Sequence, residues 1–301
     1  MCNGPRAMDS RMETLYQLNT ADHARVTYLC RRGAADRGDA PLLLIHGAAS
    51  NMTRWSEFAE RTVLTAKHDI IRLDLRGHGR SLYRGRVALE IWCDDIAAVL
   101  RQEGHQRAIL VGHCLGANVA MMFAARYPHQ THGVVLVEPM LHQALIGTLR
   151  RLSRLAMPVK ALLAIILLLN RLGIYRRHLA ALDLYELDKT FRARLSEPGG
   201  DQALVRRYAS PWQDLKTMPS AIFLQDLLEV IRPLPLDMIR GPFLALLSTG
   251  HTFVDPAITT AVLSGLAQGE IHTLDAKHWI PTEQPQAMRE LIEAWVTALT
   301  K

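Results

Sequence analysis

Six short apolar runs, each bounded by glycine, proline or charge, constrain the fold of this 301-residue chain most strongly. They lie at residues 42–45, 70–75, 108–111, 134–137, 243–247 and 271–274. Uniformly apolar runs of this length are typical of strands that are buried on both faces of a parallel sheet. Helical patterns occupy residues 87–103, 115–127 and 285–299. Strands that alternate with helices predict an α/β fold with a mostly parallel, doubly wound sheet.

One long stretch, residues 140–235, interrupts this alternation and shows no strand pattern. Helical patterns fill it instead, at residues 144–155, 159–172, 187–195 and 221–231. A long helical insertion between two core strands is typical of a cap, not of a second independent domain. The sequence therefore predicts a core at residues 21–139 and 236–301, with a helical cap inserted at residues 140–235.

Several function classes are disfavoured by composition and spacing. The N-terminus shows no secretory signal pattern, and the longest apolar stretch, residues 161–169, is too short to span a bilayer. The four cysteines show no paired spacing, so we expect a reducing, cytoplasmic environment. No metal-ligand spacing and no phosphate or dinucleotide loop is visible, so we expect chemistry without a metal or another cofactor.

Basic charge is concentrated in one part of the predicted cap. Residues 150–210 carry twelve Lys/Arg and five Asp/Glu, whereas the whole chain is only +6. No basic run is interleaved with aromatic residues, so nucleic-acid binding is not favoured. The basic residues surround the apolar stretch at 161–169, which leaves three interpretations open. They are an acyl-chain pocket with a basic rim for coenzyme A or an acyl carrier protein, peripheral contact with an anionic membrane, and a cap core with solvated charges.

Four segments carry motifs in a recognisable order. They are residues 42–50, 73–81, 110–117 and 274–285, and each begins in or beside a predicted strand. In order and spacing these segments resemble the α/β-hydrolase superfamily. The third segment holds Gly112-His113-Cys114-Leu115-Gly116, where the superfamily usually has Gly-x-Ser-x-Gly. The chain therefore departs from the common nucleophile by having Cys114 at the centre of the motif.

Cys114 is the candidate nucleophile. A sharp turn between strand and helix exposes the central side chain of this motif, and the helix N-terminus favours a thiolate. The amide of Leu115 is a candidate oxyanion donor at that helix start. The resemblance implies a second donor, the amide of Ala48, directly after His46-Gly47. The competing interpretation is a small buried cysteine in an inactive protein.

The resemblance implies that His278, which follows the last predicted strand, is the catalytic base. The acid is left open between two positions. The usual position holds Phe253, and Asp255 lies two residues later, where it also suits a helix cap. The alternative, Glu138, directly follows the strand at 134–137, as in some haloalkane-dehalogenase relatives. We favour Glu138 over Asp255, because an acid at a buried strand end needs a partner such as His278.

Together these residues predict an acyl hydrolase that cleaves a small-molecule ester or thioester through a Cys–His–acid triad and an acyl-enzyme. Two alternatives stay open: an acyltransferase that uses the same acyl-enzyme, and a non-catalytic ligand-binding member of the fold. Epoxide and carbon–halogen hydrolases of this fold carry Asp at the position of Cys114, which disfavours those reactions. Dienelactone hydrolases and polyhydroxyalkanoate synthases share Gly-x-Cys-x-Gly, but neither function is assigned here.

Overall fold

The computed structural model describes residues 13–34, 39–195, 197 and 199–301. Their strands form one sheet in the order β1-β2-β4-β3-β5-β6-β7-β8. The strands are β1 (Thr14–Asn19), β2 (Arg25–Arg31), β3 (Leu42–Ile45), β4 (Ile70–Asp74), β5 (Ala108–His113), β6 (Thr131–Val137), β7 (Phe243–Ser248) and β8 (Gly269–Leu274). Strand β2 pairs antiparallel with β1 and β4, and the remaining pairs are parallel. The mostly parallel sheet confirms the predicted fold class.

All six predicted strands are present, and two further strands were missed. Strands β1 and β2 form an edge hairpin, in which Thr14 pairs with Cys30 and Asn19 with Arg25. The sheet thus begins at Thr14, ahead of the core boundary that we predicted at residue 21. Side chains of β1 alternate between half-buried and exposed. An edge strand of this kind lacks the uniformly apolar run that marks a central parallel strand.

Helices cover both faces of the sheet. They are α1 (Ser56–Arg61), α2 (Leu89–Glu103), α3 (Leu115–Arg126), α10 (Pro256–Ser264), α11 (Ile280–Glu283) and α12 (Pro285–Leu299), besides six helices between β6 and β7. Side chains of β3 show the two layers, since successive residues of a strand point to opposite faces. Leu43 and Ile45 belong to the core on the side of α2 and α3, whereas Leu42 and Leu44 belong to the core of α1 and α12.

The described residues between β6 and β7 form six helices and no strand. These helices are α4 (Gly147–Arg154), α5 (Ala156–Arg171), α6 (Leu184–Arg194), α7 (Gly200–Tyr208), α8 (Pro211–Thr217) and α9 (Ser220–Val230). Helices α7 and α8 were not predicted. The placement of a separate cap at residues 140–235 stays a prediction. No single helix of the described residues is long and apolar enough to cross a bilayer; α4 and α5 together meet that length and composition but are bent by 78°.

Candidate active site

Cys114 lies in the turn between β5 and α3, with a left-handed backbone at φ 54° and ψ −118°. A non-glycine residue in such a conformation costs about 1–3 kcal/mol and persists only where its surroundings hold it. The flanking glycines are required by close packing. A Cβ on Gly112 would lie 2.2 Å from the carbonyl oxygen of Gly116, and one on Gly116 would lie 2.3 Å from that of Ile45. The turn therefore presents the half-buried Cys114 to a cavity above the sheet.

His278 and Glu138 form a buried pair at the same edge of the sheet. The Nδ1–H of His278 donates to Oε2 of Glu138 at 2.9 Å, and both side chains are almost completely buried. Glu138 directly follows β6 and also has a left-handed backbone, at φ 54°. Its other oxygen, Oε1, accepts the amide of Ser248 at the end of β7. Two neighbouring strands thus hold the carboxylate that orients the ring of His278.

Cys114 lines the same cavity as His278 and lies close enough to affect the pKa of its ring. Burial lowers the pKa of His278, but the hydrogen bonds and charges of Cys114 and Glu138 raise it by more, so its pKa lies above that of an ordinary histidine. A raised pKa keeps the ring protonated at neutral pH. The arrangement therefore favours an imidazolium that is held by Glu138 and lies in the same cavity as Cys114.

Asp255, the other candidate acid, is engaged elsewhere. Its Oδ1 accepts the amides of Ala257 at 2.9 Å and Ile258 at 3.3 Å, so it caps the first turn of α10. The ring of Phe253, at the usual acid position, packs edge-on against the ring of His278, with 4.9 Å between the centroids. The structure thus brings Glu138, and not Asp255, to His278.

Of the two candidate oxyanion donors, Ala48 lines the cavity beside Cys114, and Leu115 directly follows Cys114 at the start of α3. Among the described residues, neither the amide of Ala48 nor that of Leu115 has a hydrogen-bond acceptor. The neighbouring amides are occupied: that of Cys114 donates to the Val137 carbonyl at 2.9 Å, and that of Ala49 donates to Asp226 at 3.1 Å. Ala48 and Leu115 therefore have amides free for an oxygen bound beside Cys114, as expected for an oxyanion hole.

Asp226 of α9 is a residue that sequence reasoning missed, since it belongs to no motif. Its Oδ2 accepts both the amide of Ala49 and the Nε2–H of His78, at 3.1 and 2.8 Å. Burial lowers the pKa of His78, but the charge and hydrogen bond of Asp226, together with the charge of Asp74, raise it by more. The ring of His78 packs edge-on against His46, whose Nδ1 donates to the Gly47 carbonyl. The carboxylate thereby ties α9 to the loop that carries Ala48.

Two further polar residues near the site have structural contacts. Asp74 accepts the amides of Met52 and Arg80 at 2.8 and 2.7 Å, so it braces two loops. The Nε2 of His113 lies 3.2 Å from the carbonyl oxygen of His278 and supports the loop of the candidate base. Among the described residues, no three His, Cys, Asp or Glu side chains come together as a metal-binding group.

The cavity beside Cys114 has a volume of about 640 Å³. Most of its wall is apolar and comes from the helices between β6 and β7: Leu149, Leu152, Phe223, Leu227 and Val230. A polar corner contains the buried Arg54, which pairs with Asp188 at 2.6 Å and lies over the ring of Tyr208. A wall of this kind suits an apolar group of a small molecule.

Asp226→Asn is expected to lower kcat by about tenfold to a hundredfold, because a displaced loop would move the Ala48 amide from the position of the oxyanion. Asn keeps one oxygen for the two donors, Ala49 and His78, but it removes the negative charge that pairs with the ring of His78 and strengthens both hydrogen bonds. Kinetics with a p-nitrophenyl ester measure the effect, with Asp237→Asn as a control at an exposed position. Equal kcat in the two variants would contradict this role.

Comparisons with known proteins show to which family the chain is similar. The model of the Alpha/beta hydrolase family matches residues 42–291. The sn-1-specific diacylglycerol lipase ABHD11 of Mus musculus is 24% identical over 265 residues, which cover 86% of this chain and 82% of the relative. The 2-(acetamidomethylene)succinate hydrolase of Mesorhizobium japonicum is 35% identical over 120 residues, or 39% of this chain and 41% of that protein.

Solved structures extend the similarity to the whole fold. A hydrolase from Pseudomonas aeruginosa PA01 has a TM-score of 0.65 at 22% identity, covering 94% of this chain and 98% of that one. The E-2-(acetamidomethylene)succinate hydrolase has the same TM-score at 19% identity, covering 95% and 100%. At such identities the likeness shows the fold alone. The family model, however, runs from β3 into α12, and this chain therefore belongs to the α/β hydrolase family.

Proposed function

We propose that this α/β hydrolase cleaves acyl esters or thioesters through a covalent acyl-enzyme on Cys114. The observation that carries the proposal is the hydrogen-bonded pair of His278 and Glu138, with Cys114 in the same cavity at the carboxyl edge of the sheet. A nucleophile, a base and an orienting acid in this order have the geometry of a catalytic triad. The relatives named as a lipase and a hydrolase support a hydrolytic reaction.

In the first half-reaction, the thiolate of Cys114 attacks the acyl carbon, and the carbonyl oxygen becomes an oxyanion. The amides of Ala48 and Leu115 bind that oxyanion. The tetrahedral intermediate then collapses: the bond from carbon to the leaving group breaks, and the imidazolium of His278 gives its proton to the departing alcohol or thiol. The acyl group remains on Cys114 as a thioester, and the ring of His278 is neutral.

In the second half-reaction, the neutral His278 takes a proton from water as the water oxygen attacks the acyl carbon. Collapse of this second intermediate breaks the bond between carbon and sulfur. The carboxylic acid leaves, and the thiolate of Cys114 again faces an imidazolium. Throughout the cycle, Glu138 holds Nδ1–H of His278, so that Nε2 stays directed at the sulfur.

The apolar wall of the cavity favours an acyl chain as the part of the substrate that is bound most tightly, since burial of each methylene contributes about 0.8 kcal/mol. The name of the mouse relative, a diacylglycerol lipase, supports an acyl ester as well. An acyl group carried on coenzyme A or on an acyl carrier protein is also within this proposal. The same acyl-enzyme would serve a transferase if an alcohol or amine replaced water.

The test is intact mass spectrometry after brief incubation with a panel of acyl thioesters and p-nitrophenyl esters. We expect a mass gain equal to one acyl group, located on the peptide that contains Cys114. Prior iodoacetamide should block this adduct by alkylating Cys114. The thiols of Cys30 and Cys93 should react more slowly, because burial raises the pKa of Cys30 to about 12 and also raises that of Cys93. Product formation by the iodoacetamide-treated enzyme would contradict the proposal. Acyl transfer to an added alcohol would identify the protein as a transferase.

A further inference from the structure

Helix α5 is apolar around its circumference, yet none of its residues is buried. Its inner face packs on α9 and is only half-buried. The half-buried residues of this face include Val159, Leu163, Ile166, Leu167 and Asn170. The outer face of a surface helix is normally polar. Here it carries Leu162, Ile165, Leu168 and Leu169 instead, all of them exposed. The interpretation of residues 161–169 as a buried cap core is therefore wrong.

Exposed apolar side chains continue on both sides of this helix. The apolar patch, as we define it, consists of Leu155, Met157, Leu162, Ile165, Leu168, Leu169, Leu172, Ile174 and Tyr175. It holds nine of the fifteen large hydrophobic side chains that are exposed among the described residues, and Met157 reaches 74% exposure. Such a concentration of exposed apolar side chains marks a surface that contacts another molecule or a membrane.

The segment that carries the patch has charge of one sign. Residues 139–182 contain no Asp or Glu. The same segment carries seven basic side chains, all exposed: Arg150, Arg151, Arg154, Lys160, Arg171, Arg176 and Arg177. Exposed apolar side chains interspersed with cations in one helical segment are the pattern of a helix that lies in the interface of an anionic membrane. Lys and Arg there contact lipid phosphates, while the apolar side chains enter the boundary of the acyl chains.

We propose that the apolar patch and its basic rim dock on an anionic phospholipid surface. A second copy of the chain fits less well, because a symmetric contact would bring the seven basic side chains of each copy together. An acidic protein would match the charge, but it would need a preformed groove to cover the convex outer face of α5. A lipid surface adapts to such a face without one.

Docking would also place the candidate active site beside the lipid. Helix α4 contributes to both the cavity and the basic rim. Leu149 and Leu152 line the cavity. The exposed basic residues of the same helix are Arg150, Arg151 and Arg154. The membrane would then deliver acyl lipids to the cavity wall; this consequence, but not the docking itself, rests on the proposed function. Vesicle binding requires no turnover, so it tests the docking proposal independently of the proposed catalytic role of Cys114.

The experiment is flotation of the whole protein with phosphatidylcholine vesicles, with and without phosphatidylglycerol. We expect binding to the anionic vesicles that weakens as the Debye length falls from about 10 Å at 0.1 M salt to about 3 Å at 1 M. Lys160→Gln and Arg171→Gln should each weaken binding about fivefold. Ile165→Asp should weaken it by about tenfold or more, because it removes an apolar side chain that docking would bury in the lipid and adds repulsion from the anionic surface.

Two matched controls lie outside the patch. Val63→Asp changes a side chain that is 67% exposed, and Arg240→Gln removes an exposed cation; both should leave vesicle binding unchanged. Three results would overturn the proposal: no binding to anionic vesicles, equal binding to neutral vesicles, or wild-type binding by Ile165→Asp. A dimer or a complex with an acidic protein that Ile165→Asp abolishes, without vesicle binding, would assign the patch to that partner instead.

Discussion

Cys114→Ala is expected to lower turnover of any substrate by about five to six orders of magnitude, as loss of a triad nucleophile does in other hydrolases. The reason is that no acyl-enzyme can form without the sulfur, and the remaining oxyanion donors then act only on direct attack by water. Kinetics with a p-nitrophenyl ester measure this loss, and intact mass spectrometry should show no acyl adduct. The variant keeps a small side chain at the left-handed turn, so its thermal unfolding should resemble that of the wild type.

Cys30→Ala is the matched control. Cys30 is buried in β2, in the core cluster against which Cys114 also packs, and its thiol faces no candidate catalytic group. Its loss should reduce the free energy of unfolding by about 1 kcal/mol or more, through a small cavity, while turnover stays close to the wild-type value. Near-wild-type turnover in Cys114→Ala would remove the central claim, whatever the control shows.

Glu138→Gln is expected to lower kcat by about 10⁴-fold, the effect of losing the orienting acid in a well-studied triad. Gln keeps the shape of the side chain but cannot offset the charge of an imidazolium. Asp255→Asn is the matched control, because Asn also caps helices and α10 should keep its first turn. Kinetics on the two variants rank the two acids, and a larger loss in Asp255→Asn would contradict the assignment.

The pH profile gives Glu138→Gln a second readout. His278 donates a proton to the leaving group, so kcat/KM should fall at alkaline pH, where the ring loses that proton. The charges of Glu138 and Cys114 raise the pKa of His278, which places the alkaline limb above the pKa of an ordinary histidine. Removing the negative charge at residue 138 lowers that pKa. The alkaline limb should therefore move to lower pH in Glu138→Gln and stay in place in Asp255→Asn.

The central strands and the candidate nucleophile were predictable from sequence, for physical reasons. A run such as Leu42–Ile45 needs burial on both faces, and only the middle of a parallel sheet offers that over so few residues. The two glycines around Cys114 have contacts too close for any side chain, and their spacing is visible in the chain itself. These signals are local, so they need no knowledge of how distant segments meet.

The choice of acid needed the tertiary structure. Glu138 and Asp255 each follow a strand, and their spacing from His278 along the chain does not separate them. Adjacent β6 and β7 bring Glu138 to the histidine and to the Ser248 amide, while the first turn of α10 engages Asp255. The sequence supported a preference for Glu138, and the contact itself depends on the order of strands in the sheet.

What the sequence determined by itself is the set of segments that must be buried and the turn that exposes Cys114, because both follow from local sterics and hydrophobicity. The tertiary structure alone decided which distant groups meet. It placed Asp226 of α9 against the Ala49 amide, a contact between residues 177 positions apart that no motif marks. It also left the outer face of α5 without a protein partner among the described residues. The sequence pattern of an apolar helix is the same whether the helix is buried or exposed. Only its packing in the tertiary structure distinguishes a core helix from a docking surface.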